Sequence, residues 1–246
     1  MKTVYLVFIA LFCATFINAQ NIIPLIGNEA PSFEANTTNG KLDFPHDFGK
    51  SWKILLSHPK DFTPVCTSEI MELARMQDEF QHLGVQIAII STDDLQSHVQ
   101  WKQSMEDILK SENNNAKIDF PLIDDSKTRI SNKYGMLHAW DNTTRDVRGV
   151  FIIDPDNKIQ SLLFYPLNIG RNMVEIKRLV VALQYSKQEN VLTPVNWEVG
   201  DDVLMPFMPN INPELSSNVE SANDYYKVGI NLWYKKVNKE QLSKNK

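Results

Sequence analysis

The chain has 246 residues, 43% of them hydrophobic and 22% charged, with 30 acidic against 25 basic residues for a formal net charge of −5. That composition suits a folded globular protein and excludes disordered, collagen-like and low-complexity classes, and an acidic balance without a basic block argues against nucleic acid as a partner. The two cysteines, Cys13 and Cys66, exclude a disulfide-stapled scaffold and a Cys-rich zinc site, and no cofactor or metal motif is present.

Met1-Lys2-Thr3, the almost wholly apolar run from Val4 to Ile17, and then Ile17-Asn18-Ala19 follow the order of a secretory signal peptide. The run is short for a membrane helix, which needs about 20 residues. We expect residues 1–19 to be an export signal, and the mature protein to be secreted or held in the lumen of the secretory pathway. Removing the signal takes away Cys13 and leaves Cys66 as a single thiol that can form no internal disulfide. Two glycosylation sequons, at Asn36 and Asn142, sit in polar, turn-like surroundings.

From Gln20 to Asp47 the chain reads as irregular or short-strand, punctuated by Gly27, Pro31, Gly40 and Pro45. Trp52 to Ser57 and Val85 to Ile90 are apolar runs of the kind buried on both faces of a sheet. Between them, Ile70, Leu73, Ala74 and Phe80 give Cys66 to Leu83 a helical period that stops at Gly84. Ser97 to Leu109 reads as a helix with an apolar face of Val99, Trp101, Met105, Ile108 and Leu109. Phe120 to Ile123 is a short extended piece, and Thr128 to Tyr134 a short helix closed by Gly135. The strands Gly149 to Ile153 and Ile159 to Tyr165 flank the turn Asp154-Pro155-Asp156-Asn157. Met173 to Tyr185 is a helix with Val174, Ile176, Leu179, Val180 and Leu183 as its apolar face. This order predicts an α/β fold with a mixed central sheet.

Past Lys187 the periodicity fades until Tyr225, and Pro194, Pro206, Pro209 and Pro213 punctuate the chain. Val203, Leu204, Met205, Phe207 and Met208 make this stretch too apolar for a free linker. It reads as an extended arm that needs a surface to cover, on this chain or on a second subunit. The last residues, with Lys235, Lys236, Lys239, Lys244 and Lys246, read as a solvated tail. The expected domains are therefore 1–19, 20–187 and 188–246.

The chemistry concentrates in His58-Pro59-Lys60-Asp61-Phe62-Thr63-Pro64-Val65-Cys66-Thr67-Ser68-Glu69. The segment follows a buried strand and opens a helix, so Cys66 falls in a first helical turn, where unpaired amides and the macrodipole favour a thiolate. Thr63 is placed to bring a hydroxyl beside the sulfur, and Pro59 and Pro64 stiffen the loop. Pro59-x-x-x-Thr63-x-x-Cys66 resembles the active-site signature of the peroxiredoxins, and the string from Ser57 to Glu69 resembles their 1-Cys subgroup. Val147 to Asp154 resembles the family strand that carries the active-site arginine. Leu163 to Pro166, Gly170-Arg171-Asn172 and Thr193 to Trp197 match in the same order.

The resemblance implies a thioredoxin-like fold with a C-terminal arm, a homodimer, and reduction of hydrogen peroxide and organic hydroperoxides. It makes Cys66 the peroxidatic nucleophile, with Thr63 bonding the peroxide, Arg148 stabilising thiolate and transition state, and Pro59 shielding the sulfenic acid. His58 lines the pocket, while Glu69 and Arg171 orient Arg148. A second cysteine is missing where a 2-Cys enzyme has one, at Val195-Asn196-Trp197, so the reductant is an external thiol, either glutathione or a thiol protein. Alternative readings are a redox sensor, a chaperone-like assembly, or a phospholipase using Ser51, His46 and Asp156. The last is disfavoured because a serine elbow needs small flanking residues, and Gly49-Lys50-Ser51-Trp52-Lys53 has lysine for its second glycine.

Overall fold

The computed structural model describes residues 23–137, 144–207 and 224–237. The expected export signal with Cys13, the sequon at Asn142, and Met208, Pro209, Pro213, Lys239, Lys244 and Lys246 lie outside them. The chain divides into two compact units, one of Met1–Ala74 with Val85–Gly170, the other of Arg75–Gly84 with Arg171–Lys246. That grouping places the helix after Gly170 with the C-terminal segment, whereas the expected domains divide after Lys187.

The first unit is built on a seven-stranded mixed sheet. Its strands are β1 (Phe33–Thr37), β2 (Gly40–Phe44), β3 (Trp52–Ser57), β4 (Val85–Ser91), β5 (Leu122–Asp124), β6 (Arg148–Ile153) and β7 (Ile159–Tyr165), in the order β2-β1-β5-β4-β3-β6-β7. β3, β4 and β5 run parallel, and β6 and β7 are antiparallel additions. Alternation divides the central strands between two buried faces. Leu55, Ala88, Ile90, Ile123, Phe151 and Ile153 pack in one core with Phe33, Phe44 and Tyr134, while Ile54, Leu56, Ile89, Val150 and Ile152 are buried on the other face. The residues before Asp47 are more regular than expected: Thr37 pairs with Gly40, so β1 and β2 form a hairpin across Thr38-Asn39.

Helix α1 (Pro64–His82) follows β3, and α2 (Leu95–Ser111) follows β4, with Asp94 capping the Ser97 amide at 2.8 Å. α2 buries His98, Trp101, Met105 and Leu109. Val99 and Ile108, expected on that face, are 52% and 40% exposed. The period was legible, but a buried histidine rotates the face away from them. Short α3 (Arg129–Tyr134) ends at Gly135, whose φ of +65° and approach to Ile23 both demand glycine.

In the second unit α4 (Met173–Glu189) is capped by Asn172 and buries Met173, Ile176, Val180 and Ala182. Leu179 and Leu183 are half-buried, and Val174, expected on the apolar face, is exposed. Ala182 joins Val191, Trp197 and Val203 in a small core. The arm is covered by its own chain: β8 (Val203–Leu204) pairs with β10 (Leu232–Lys235), which pairs with β9 (Tyr225–Val228). The expected solvated tail is therefore a hairpin as far as Lys235, held by Tyr226 stacked on Tyr234 and Lys227 over Trp233.

Candidate active site

The register of β3 against β6 sets Leu56 opposite Val150. It therefore carries Ser57-His58 and Arg148-Gly149 to the same end of the sheet. Ser57 Oγ fastens that end by donating to the Val147 carbonyl at 2.7 Å and accepting the Gly149 amide at 2.9 Å. Only glycine fits beside Ser57, since a Cβ on residue 149 would meet Oγ at 2.9 Å. From His58 the chain turns through a loop in which Phe62 takes a left-handed φ of 57°, then enters α1 at Pro64, a residue suited to a first helical position. Cys66 is thus the third residue of α1, as its sequence position implied.

Cys66 is free and fully buried. Arg148 Nη1 donates to its Sγ at 3.3 Å and to Glu69 Oε2 at 2.9 Å. Nε and Nη2 of the same guanidinium donate to the Leu167 carbonyl at 3.0 and 2.5 Å. Arg148 and Glu69 are 2% and 3% exposed, so this is a desolvated ion pair, and the attraction of its guanidinium to a sulfur anion is little screened by water. Glu69 lies one helical turn from Cys66, which lets α1 supply both the nucleophile and the carboxylate that aims the arginine.

Thr63 is half-buried, and its hydroxyl donates to the Lys60 carbonyl at 2.8 Å. Its proton is therefore committed while its lone pairs can still accept a hydrogen bond. Pro59 is buried between His58 and Lys60. Arg171 is buried and precedes the Asn172 cap of α4, in the second unit.

His58 belongs to a buried network that the sequence reading missed. Its Nε2 lies 2.9 Å from Asp61 Oδ1. Asp61 also accepts from Ser97 Oγ at 2.7 Å and lies 2.9 Å from His98 Nδ1. His98 Nε2 is 3.0 Å from the Ile123 carbonyl. A carbonyl and a carboxylate can only accept, so both nitrogens of His98 carry protons and it is an imidazolium. Burial opposes that charge, but the hydrogen bond and attraction to Asp61 outweigh it and raise the His98 pKa. Burial lowers the His58 pKa, and its Nδ1 has no partner among the described residues. Burial alone raises an acid's pKa, yet the two histidines hold Asp61 below the ordinary range. His58 also packs against Trp101 with the rings tilted, centroids 4.9 Å apart, and Trp101 Nε1 donates to Thr67 Oγ1, beside Cys66.

One signal for this network was available: Asp93, Ser97 and His98 follow the C-terminal end of a parallel strand, where α/β sheets gather functional groups. His58, Asp61 and Asp93 place potential metal ligands within 4.8 Å of one another. The oxygens of Asp61 are committed to His58, His98 and Ser97, however, and Asp93 Oδ2 accepts the Asp61 amide and the Ser91 hydroxyl. Protons rather than a cation hold this cluster.

The phospholipase constellation is not assembled. Ser51 Oγ accepts from Gln86 at 3.2 Å, His46 pairs with Asp43, and Asp156 pairs with Lys50. Each residue finds a different partner.

Comparison with known proteins agrees with this geometry. The AhpC/TSA family matches residues 26–162, and the C-terminal domain of 1-Cys peroxiredoxin matches residues 182–207. A peroxiredoxin of Methanosarcina mazei is 49% identical over 185 residues, covering 75% of this chain and 84% of its own. The mitochondrial peroxiredoxin PRX1 of Saccharomyces cerevisiae is 38% identical over 202 residues, covering 80% and 76%. Among solved structures, the yeast mitochondrial 1-Cys peroxiredoxin, studied for thiol resolution through glutathione and thioredoxin systems, has a TM-score of 0.75 at 35% identity and covers 87% of this chain and 100% of its own. A cysteine-to-serine mutant of peroxiredoxin 6 from Arenicola marina has a TM-score of 0.77 at 30% identity and covers 87% and 99%. The fold is thioredoxin-like, as in these peroxiredoxin structures. The chain belongs to the AhpC/TSA family as a peroxiredoxin with a 1-Cys C-terminal domain, and it is a thiol-dependent peroxidase.

Proposed function

We propose that this chain reduces hydrogen peroxide and organic hydroperoxides at Cys66, with Arg148, Thr63 and Pro59 as its immediate partners. The observation that carries the reading is the single guanidinium nitrogen that contacts both Cys66 Sγ and Glu69. The thiolate attacks the terminal peroxide oxygen; the S–O bond forms as the O–O bond breaks, and the departing oxygen leaves as water or alcohol after taking a proton. Arg148 stabilises the anion before attack and the charge shared among sulfur and oxygens during it. Thr63 accepts a hydrogen bond from the peroxide hydroxyl, and Pro59 excludes water from the sulfenic acid. Glu69 fixes Arg148, and His58 lines the pocket.

Cys66 is the only thiol left once residues 1–19 are removed. The sulfenic acid is then resolved from outside: one thiol forms a mixed disulfide with Cys66 and releases water, and a second frees Cys66 as a disulfide of the reductant. Glutathione or a thioredoxin-like protein fits this role, as it does for the yeast relative. Stopped-flow mixing with sub-stoichiometric hydrogen peroxide tests the reading. Sulfenic acid should form at Cys66 far faster than on free cysteine and vanish in Cys66→Ser; a rate equal to that of free cysteine overturns it.

Met1–Ala19 acts as an export signal in this reading and places the enzyme in the secretory pathway or outside the cell. A mitochondrial presequence would be basic and amphipathic, whereas Val4 to Ile17 is apolar and the only basic residue before it is Lys2. An N-terminus at Gln20 in the mature protein supports export, and an intact Met1 refutes it. The enzyme works as a homodimer, a reading supported by β7. It lies at the sheet edge, carries no charge or proline, and exposes 43% of Phe164.

A further inference from the structure

Two residues before Arg148 lies a buried carboxyl group with no part in the chemistry above. Asp146 is fully buried and bridges Leu137 through its backbone. Its Oδ1 has no hydrogen-bond partner among the described residues, and its Oδ2 lies 3.1 Å from Ser131 Oγ. That hydroxyl owns one proton, which it donates at 2.7 Å to Asp125 Oδ2. Asp125 also accepts the amides of Ile130 and Ser131 at 3.1 and 2.7 Å, the pattern of an anion. Ser131 Oγ therefore turns only lone pairs toward Asp146. Two acceptors do not meet at that distance in a dry interior without a proton between them, so Asp146 carries the proton and donates it to Ser131.

The surrounding charges agree. The acids that bear on Asp146 are Asp125 and Asp93, and no ion pair among the described residues includes it. Its neighbour Arg145 is exposed, and Arg148 is committed to Cys66, Glu69 and Leu167. Burial, with those two carboxylates, holds the Asp146 carboxyl well above the usual range.

From Asp146 the chain runs directly into the site. The Val147 amide donates to Met136, and the Val147 carbonyl accepts from Ser57 Oγ, which also holds Gly149. We propose that Asp146 is a positioning residue for Arg148: as a neutral acid it ties the entry of β6 to α3 through Ser131, and on losing its proton it leaves that pocket and draws Arg148 away from Cys66. A carboxylate there would face the Asp125 carboxylate across one hydroxyl, with a bare Oδ1 in the interior. Movement toward water is the available relief. The inference rests on the peroxidase reading of Cys66 and Arg148.

Asp146→Asn keeps the shape and a donor to Ser131 but cannot ionise. The rate of Cys66 oxidation by hydrogen peroxide is measured from pH 7 to 10 in both proteins. The alkaline-to-neutral rate ratio should be lower in the parent than in the variant, the gap widening by about tenfold per pH unit beyond the ionisation. Equal ratios overturn the proposal. The proton itself is read in the Cys66→Ser protein by infrared spectroscopy. A protonated-carboxyl band should be present at pH 7, be lost on alkaline titration, and be absent after Asp146→Asn; its absence from the parent overturns the proposal even if the variant fails to fold. Neither spectrum depends on peroxide chemistry, so a Cys66 that reacts no faster than free cysteine would count against the peroxidase reading alone.

Discussion

Arg148 uses all three nitrogens of its guanidinium: one for Cys66 and Glu69, two for the Leu167 carbonyl. A lysine keeps the charge, but its single nitrogen cannot occupy three positions at once. Arg148→Lys should slow sulfenic acid formation by roughly 10²–10³-fold, the usual penalty for removing a donor aimed at developing charge, measured by stopped flow at a single pH. Glu69→Ala leaves the buried guanidinium without its counter-ion, which costs about 3–5 kcal/mol, and should appear as a lower unfolding midpoint as well as a slower reaction. The two histidines make an opposed pair. His98 has a raised folded pKa, so its stabilisation is full below the unfolded value and lost as pH rises through the folded one. His58 has a depressed folded pKa, so its contribution is present above the unfolded value and lost as pH falls. Compared with the parent, His98→Gln should therefore lose most stability near pH 5.5 and least at alkaline pH, and His58→Gln should show the reverse trend. Denaturant midpoints at two pH values decide it. The motif disclosed Cys66, Thr63, Pro59 and His58 because they are close in sequence. It did not disclose Asp61 as the bridge to His98, because that bond spans 37 residues and joins the loop after β3 to the start of α2.

The elements were most legible where local pattern and burial agree. β3 and β4 are continuous apolar runs, and both became central parallel strands, although Lys53 is fully buried among them with its Nζ on Gly49 and Asn157. Burial lowers the pKa of that lysine, and nothing in the run Trp52 to Ser57 marks it as more than a polar interruption. The C-terminal hairpin was illegible for another reason: its strands are four residues long and interleave lysine with tyrosine, so composition reads as a tail while aromatic stacking decides the structure. Trp197 organises the same unit. It is 3% exposed, stacks on Tyr185, donates to the Asp201 carbonyl, and offers its own carbonyl to Arg178. Trp197→Ala should remove about 3–5 kcal/mol from this small core. Limited proteolysis should then cut between Glu189 and Lys236 while the first unit stays intact; an unchanged digestion pattern would show that the hairpin holds the segment without it.

At the scale of the whole molecule, composition and cysteine count excluded many classes but left assembly open, because assembly depends on which edges the topology exposes. The sheet has two. β2 carries Lys41 and Asp43, charges that discourage pairing with another strand. β7 carries none, and residues 27–29 cover only its start, where Gly27 and Asn28 bond Ile159. From Gln160 to Tyr165 its outer side is unpaired among the described residues, beside an exposed Phe164. An antiparallel two-fold pairing of β7 with the same strand of a second copy would satisfy both rows of backbone groups and close the assembly at two. Leu163→Lys puts like charges into that seam while leaving the outward groups of β2 untouched. Sedimentation should show a dimer for the parent and for Lys41→Glu, and a monomer for Leu163→Lys. A dimer that survives Leu163→Lys but dissociates when the chain is ended at Phe207 would move the interface from the sheet edge to the C-terminal arm.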